Sequence, residues 1–298
     1  MKHTLGFIGV GIMGCPMAIH LAEAGCKVLV YENNKKAPVV AEHGAIPASL
    51  KQMAEACDII FLIVSNGQVV QEILFGKDEK PGMLPDLRPG TLICDMTSIS
   101  AAQARSFHQK LSEAGIHYMD APVSGGDTGA INATLAFMAG GSQADYETLV
   151  PYFEIMGRTH TLVGEAGAGS IAKLANQIIV AGNLAAMAEA FAFSAKADVD
   201  PAKVFEAIRA GFAQSTVMDV RMPHVLEGDF TPGGTLITHR KDLNNILETG
   251  KAVGASLPLS EEIHRMMSHL IDEGMGNQDH SGLIHYYEEK NGVKVSRR

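Results

Sequence analysis

The sequence is poor in features that would mark a nucleic-acid binder, a membrane protein or a secreted disulfide scaffold. Lys and Arg number 24 against 33 Asp and Glu, a formal net charge of −9, and nowhere do the cations form a dense run. The electrostatic footprint that counterion-releasing DNA or RNA binding requires is therefore missing, and no nucleic-acid partner is expected. Cysteine is scarce: Cys15, Cys26, Cys57 and Cys94 all lie in the first third of the chain, at spacings that match neither a zinc framework nor paired disulfides. Reduced thiols in a cytoplasmic protein without a metal are expected. The apolar opening Leu5-Gly6-Phe7-Ile8 is broken by Gly9, Gly11 and Gly14 before it reaches the length of a signal-peptide core. No later apolar run is read as a membrane span, so no membrane partner is expected. Tryptophan is absent, which selects no function, and there is neither an internal repeat nor a low-complexity tract.

A chain of 298 residues is long enough for two ordinary domains, each burying its own core. From Thr4 to about Leu162, short apolar runs alternate with helix-like stretches, and Leu5–Ile8, Lys27–Tyr31, Ile59–Val64, Thr91–Cys94, His117–Met119 and Leu135–Ala139 are predicted strands. This alternation implies βαβ units around a mostly parallel sheet, covered on both faces because the strands are continuously apolar. The Gly-rich stretch Gly164–Ser170 is predicted to be flexible and to end in a helix N-cap at Ser170, which sets a domain boundary: residues 1–163 and 164–298. Beyond it, Ile171 to about Ala197 is predicted as one long helix, and the remainder as helical with breaks near Asp200-Pro201, Gly228–Gly234 and Ser256–Pro258. That long helix carries more apolar surface than a small domain would cover, so a homodimer or homotetramer is expected.

Gly9-Val10-Gly11-Ile12-Met13-Gly14 fits G-x-G-x-x-G directly after a strand and before a helical run. The first glycine permits a tight turn, the second lets the backbone approach a pyrophosphate, and the third allows close helix-on-strand packing. A ligand-free glycine turn competes with this reading, but Glu32 ends the second strand at the spacing of an acid that binds the adenosine ribose hydroxyls. A carboxylate there repels a 2′-phosphate, so NAD is favoured over NADP, although Asn33, Asn34, Lys35 and Lys36 could solvate that phosphate. The expected fold class is α/β: an N-terminal Rossmann-type, doubly wound, mostly parallel sheet followed by an all-α C-terminal domain. Val64-Ser65-Asn66 and Thr97-Ser98, at the ends of later strands, become candidate cofactor contacts. Turn formation and helix capping are their ordinary alternative.

Two segments carry candidate chemistry. Asp120-Ala121-Pro122-Val123-Ser124-Gly125-Gly126 can turn backbone N–H groups toward one spot, a nest suited to a carboxylate, though such a loop alone is more often a plain turn. In Ser170–Gln177, Lys173, Asn176 and Gln177 fall at i, i+3 and i+4 and share a helix face. A solvated face is the ordinary explanation. Their position at the expected hinge, and the ease with which a lysine pKa is shifted, instead make Lys173 an acid/base candidate.

Together these motifs resemble the β-hydroxyacid dehydrogenase family, with further matches at Gly140-Gly141, Ser215-Thr216-Val217, Lys241-Asp242-Leu243, Asp279-His280-Ser281 and Tyr286-Tyr287-Glu288 in the same order. The resemblance implies a general acid/base at Lys173, an amide holding the substrate hydroxyl at Asn176, and a carboxylate anchor at Ser124, Gly125 and Gly126, with Gln177 grouped among the substrate contacts. It implies a nicotinamide-side contact at Ser98, and at Lys241 a second lysine closing over cofactor and substrate. The activity implied is NAD(P)-dependent reduction of tartronate semialdehyde (2-hydroxy-3-oxopropionate) to glycerate. Another short 3-hydroxy acid is the alternative: 3-hydroxyisobutyrate, threonate, sulfolactaldehyde or succinic semialdehyde. A non-catalytic dinucleotide-binding regulator is the alternative of another class. Ser65 stands where relatives usually carry Pro, Asn33 where similar reductases carry Arg, and His239-Arg240 adds cationic character beside Lys241 that could alter the accepted substrate tail.

Overall fold

The computed structural model describes residues 2–296, and the chain divides into two compact units after Lys173. The first unit is built on a nine-stranded sheet. In chain order it runs β1 (Thr4–Ile8), α1 (Gly14–Glu23), β2 (Lys27–Tyr31), α2 (Ala37–Glu42), β3 (Ile46–Ala48), α3 (Leu50–Ala56), β4 (Ile59–Leu62) and α4 (Gly67–Phe75). A small hairpin of β5 (Gly76–Lys77) and β6 (Lys80–Pro81) follows, then β7 (Leu92–Asp95), α5 (Ala101–Ser112), β8 (His117–Asp120), β9 (Val123–Ser124), α6 (Gly126–Ile131), β10 (Leu135–Gly140), α7 (Gln143–Met156) and β11 (Gly157–Gly164). The sheet order is β11-β10-β8-β7-β4-β1-β2-β3, with β9 paired to β10. All pairings are parallel except those of β10 with β8 and β9. This is the doubly wound, Rossmann-type sheet expected, with apolar cores on its two faces: Phe7, Met17 and Phe153 belong to one, Ile60, Ile93 and Phe107 to the other.

Each predicted strand is present. Five others were missed: the two-residue strands β5, β6 and β9, and β3 and β11 at the sheet edges, where the sequence signal is weak. β3 contains Pro47, which edge strands tolerate because a missing N–H costs no ladder bond there, and β11 is polar through Arg158-Thr159-His160-Thr161. Helix starts follow their local chemistry: Ser49 and Ser100 each close a capping box with Gln52 and Gln103, satisfying donors that the first helical turn leaves open.

The long helix α8 spans Ala168–Lys196. It begins before Ser170, so the expected N-cap lies inside the helix, and the acceptor for its first turn comes from elsewhere in the chain. By length and mean hydropathy alone α8 could cross a membrane, contrary to the expectation that no apolar run approaches that size. It is the core helix of the second unit instead: Leu174, Leu184, Ala188 and Phe191 are buried in that unit's core. Around it come α9 (Pro201–Ile208), α10 (Thr216–Glu227), α11 (Leu236–Val253), α12 (Pro258–Leu270) and α13 (Ile284–Asn291), sharing Phe205, Met222, Leu243, Met267 and Ile284 with that core.

Candidate active site

The parallel register sets the level of the site within the first unit. Ile8, Leu62, Asp95 and Asp120 are successive register partners across β1, β4, β7 and β8. The segments that follow them, Gly9–Gly14, Ile63–Asn66, Met96–Ser98 and Ala121–Gly126, therefore leave one carboxyl edge of the sheet, where open α/β sheets hold their ligands.

The three glycines of the first turn serve different needs. Gly9 has φ +100°, and a Cβ there would lie 2.0 Å from the Ile63 carbonyl oxygen; at Gly14 it would lie 2.0 Å from the Gly9 oxygen. Both are required by the protein itself. A Cβ on Gly11 would meet nothing within 4 Å, so its smallness serves no internal contact and fits close approach of an external group. Val10 is buried, Ile12 is exposed, and Met13 brings no side-chain hydrogen bond to the start of α1. Open backbone donors beside a cradle at Gly11 suit the pyrophosphate of a dinucleotide. Glu32 follows β2 and is exposed, as is Asn33, whose Nδ2 donates to the Tyr31 hydroxyl at 3.0 Å.

At the neighbouring strand ends, the Val64 N–H donates to Thr97 Oγ1 at 3.2 Å, which ties those two loops together. Thr97 in turn donates its N–H to Asp95 Oδ1 at 2.9 Å, and the Tyr118 hydroxyl donates to Oδ2 at 3.1 Å. Asp95 is fully buried, and that burial pushes its carboxyl up to about 6 against these bonds. Asn66 Oδ1 accepts from the Val69 N–H and caps α4, the ordinary role for such a residue; its Nδ2 reaches Ser65 Oγ at 3.4 Å. Ser98 is half-buried beside Thr97.

Asp120 is the residue that sequence reasoning underrated. Its Oδ1 accepts from the Gly167 N–H at 2.7 Å and its Oδ2 from the Ser170 N–H at 2.6 Å. The Gly164–Ser170 stretch, expected to be a flexible hinge, is thus fastened to the end of β8. Burial raises the Asp120 carboxyl to about 6 although these donors favour its charge. Further along the same loop Ser124 pairs with Ala136, and Gly125 and Gly126 take φ +138° and +64°. A Cβ on Gly126 would meet nothing within 4 Å, so that backbone is open to a ligand.

Lys173 lies one helical turn beyond Ser170 on α8, with Asn176 and Gln177 on the same face. Within the second unit these amides enter a network. Asn176 Nδ2 donates to Gln177 Oε1 at 2.9 Å, and Gln177 Nε2 donates to Asp242 Oδ2 at 2.7 Å. Asp242 Oδ1 pairs with Lys241 Nζ at 3.1 Å. Gln177 thus bridges Asn176 to Asp242, which is buried on α11. The adjacent Lys-Asp pair was its only sequence signal, and taken without the family such a pair reads as an exposed ion pair. His239 is buried with its Nδ1 2.9 Å from His280 Nδ1, and the His280 imidazole is pushed down to about 3 by burial and by His239. The positive charge of Arg240 adds to burial in lowering the His264 imidazole of α12. Among the described residues, no cluster of His, Cys, Asp or Glu could hold a metal ion.

Residues 4–164 match the family described as the NAD binding domain of 6-phosphogluconate dehydrogenase, and residues 167–287 match the NAD-binding domain of NADP-dependent 3-hydroxyisobutyrate dehydrogenase. The chain is 40% identical over 285 residues to 2-hydroxy-3-oxopropionate reductase of Escherichia coli (strain K12), covering 95% of this chain and 97% of that one. It is 34% identical to 2-(hydroxymethyl)glutarate dehydrogenase of Eubacterium barkeri, over 98% and 97% of the two chains. Among solved structures, a 3-hydroxyisobutyrate dehydrogenase from Salmonella typhimurium superposes with a TM-score of 0.86 at 28% identity, over 95% of this chain and 99% of that one.

Proposed function

Since the chain belongs to the NAD(P)-dependent 3-hydroxyacid dehydrogenase family, we propose that it reduces tartronate semialdehyde to glycerate, with Lys173 as the general acid and NAD(H) as the preferred cofactor. The similarity to a 2-hydroxy-3-oxopropionate reductase supports that substrate. The exposed carboxylate of Glu32 after β2 supports NAD(H), because it would repel a 2′-phosphate. In this assignment Gly9–Gly14, Glu32, Asn33, Val64–Asn66, Thr97 and Ser98 bind the cofactor, whose nicotinamide supplies the hydride when bound. Residues 1–163 form the cofactor-binding domain and 164–298 the domain for substrate and subunit contacts.

The observation that carries the assignment of Lys173 is the pair of bonds from Asp120 to Gly167 and Ser170, which tie the first turn of α8 to the edge where the glycine turn ends. As negative charge develops on the aldehyde oxygen, the Lys173 ammonium stabilises it and donates a proton. Positioned acid catalysis of this kind is worth roughly 10² to 10⁴ in rate, with electrostatic stabilisation of the oxyanion adding to it. In the reverse direction the neutral amine accepts the hydroxyl proton, so alkaline pH favours oxidation. Asn176 holds the hydroxyl, the Ser124-Gly125-Gly126 backbone and hydroxyl bind the carboxylate, and Lys241, oriented by Asp242 and Gln177, adds a second cation. A second copy of the chain would cover exposed apolar residues of α8 such as Ile179 and Phe193, giving a homodimer or homotetramer. The four cysteines are buried and none is held in a disulfide, in keeping with a reducing, cytoplasmic setting.

Initial rates with NADH and NADPH test this against tartronate semialdehyde, sulfolactaldehyde and succinic semialdehyde in reduction, and 3-hydroxyisobutyrate and threonate in oxidation. A higher kcat/KM for one of the others sinks the substrate assignment. Lys173→Ala is expected to retain NADH binding and lose turnover by about 10² or more; normal turnover by that variant sinks the mechanism.

A further inference from the structure

An α-helix leaves its first N–H groups without intrahelical partners, and a polar side chain just before the helix normally accepts from them. Before α8 stand Gly164-Glu165-Ala166-Gly167, yet the acceptor is a buried carboxylate from β8, 47 and 50 residues earlier in the chain. The two backbones are pressed together at this point: a Cβ on Gly169 would lie 2.3 Å from the Met138 oxygen and 2.4 Å from the Asp120 oxygen, and one on Gly140 would lie 2.5 Å from the Gly169 nitrogen. Glycine at both positions lets the helix start sit directly on the strand ends, and Asp120 locks it there with two short bonds.

We propose that Asp120 is a positioning residue for the reaction, acting through α8 on Lys173. The inference rests on the assignment of Lys173 as the acid. A side chain three residues beyond Ser170 inherits any shift or fraying of the first turn, and proton donation is sensitive to displacements well below the length of that turn. Cofactor binding at the glycine turn makes no use of this carboxylate. The carboxylate uses both oxygens as acceptors, so an amide in its place can serve only one of the two N–H groups and turns its own NH₂ toward the other.

The test is Asp120→Asn in the full-length enzyme. Expected are a fall in kcat of about tenfold, equivalent to about 1.4 kcal/mol at 25 °C, an NADH Kd within about twofold of the parent, and faster amide exchange confined to the segment around Gly167–Ile171. An unchanged kcat overturns the proposal. So does a loss of NADH affinity in step with kcat, or a protein that no longer folds, since either makes the role of Asp120 one of general architecture. Lys173→Ala run in parallel separates the two ideas. If it keeps full turnover, the assignment of Lys173 is wrong; if it is inactive while Asp120→Asn retains full kcat, only the positioning role is wrong.

Discussion

Gln177 Nε2 and Asp242 Oδ2 are joined by a 2.7 Å hydrogen bond, and the other oxygen of that carboxylate pairs with Lys241. One buried acid therefore connects the amides of α8 to the lysine of α11. A buried carboxylate with two polar neighbours orients both, because losing either contact leaves an acceptor without its partner in a poorly solvated place.

Asp242→Asn keeps the side-chain volume but removes the charge that pairs with Lys241. The substrate KM is expected to rise by between about twofold and tenfold, the range that one such interaction supplies, while the NADH Kd stays near that of the parent. An unaltered KM in steady-state assays argues that Lys241 is oriented by other groups.

The glycines of the first turn predict opposite outcomes. Gly11→Ala adds a methyl into space that the protein leaves open, so thermal stability should hardly change while NADH affinity falls about tenfold or more, ~1.4 kcal/mol per decade. Gly14→Ala drives a methyl against the Gly9 carbonyl and should lower the melting temperature by several degrees, the scale of an overpacking penalty of about 1–3 kcal/mol. Equal melting temperatures for the two variants, or intact cofactor affinity in Gly11→Ala, contradict this division.

Asp95 supplies a pH signature. Burial holds its proton up to about 6 in the folded chain, whereas the unfolded chain releases it in the ordinary carboxylate range near 4. The folded state thus binds the extra proton between these limits, so stability rises as pH falls from 7 toward 4 and the cost of the buried charge is fully present above about 6. Asp95→Asn removes that cost, its oxygen still accepting from Thr97 and its NH₂ donating to the Tyr118 hydroxyl. The variant's melting temperature should exceed that of the parent by more at pH 7 than at pH 5. A gap that widens in acid refutes the assignment of the charge to this site.

Glu32→Gln removes the carboxylate after β2. The proposed preference for NADH over NADPH, measured as a ratio of kcat/KM values, is expected to narrow by about tenfold or more, consistent with one lost charge-assisted contact of about 1.5–3 kcal/mol. A ratio that stays put shows that Asn33 and its neighbours, and not Glu32, decide between the two cofactors.

What was legible in the sequence was what is local. Gly9–Gly14 announces itself because strand, turn and helix follow one another within a few residues, and the parallel sheet because its central strands are continuously apolar. The edge strands β3 and β11 escaped because Pro47 and the polar run Arg158–Thr161 suit an edge and carry no apolar signature. Ser170 looked like an N-cap since local sequence gives no hint that Asp120 already fills that role from another strand. Asp242 looked like surface charge for the same reason: its partner Gln177 is 65 positions away. The contact of His239 with His280, 41 positions away, was equally out of reach of the local sequence.

The borrowed cap on α8 also bears on how the chain acquires its shape. A helix whose opening turn depends on a strand some fifty residues upstream cannot finish that turn alone; β8 and β10 must first stand side by side. Such non-local closure is slow compared with helix growth. On a ribosome, the body of α8 would coil early and its first turn would settle only once the strands beneath it had paired, so the nucleotide-binding half acts as a template for the segment that bears the lysine.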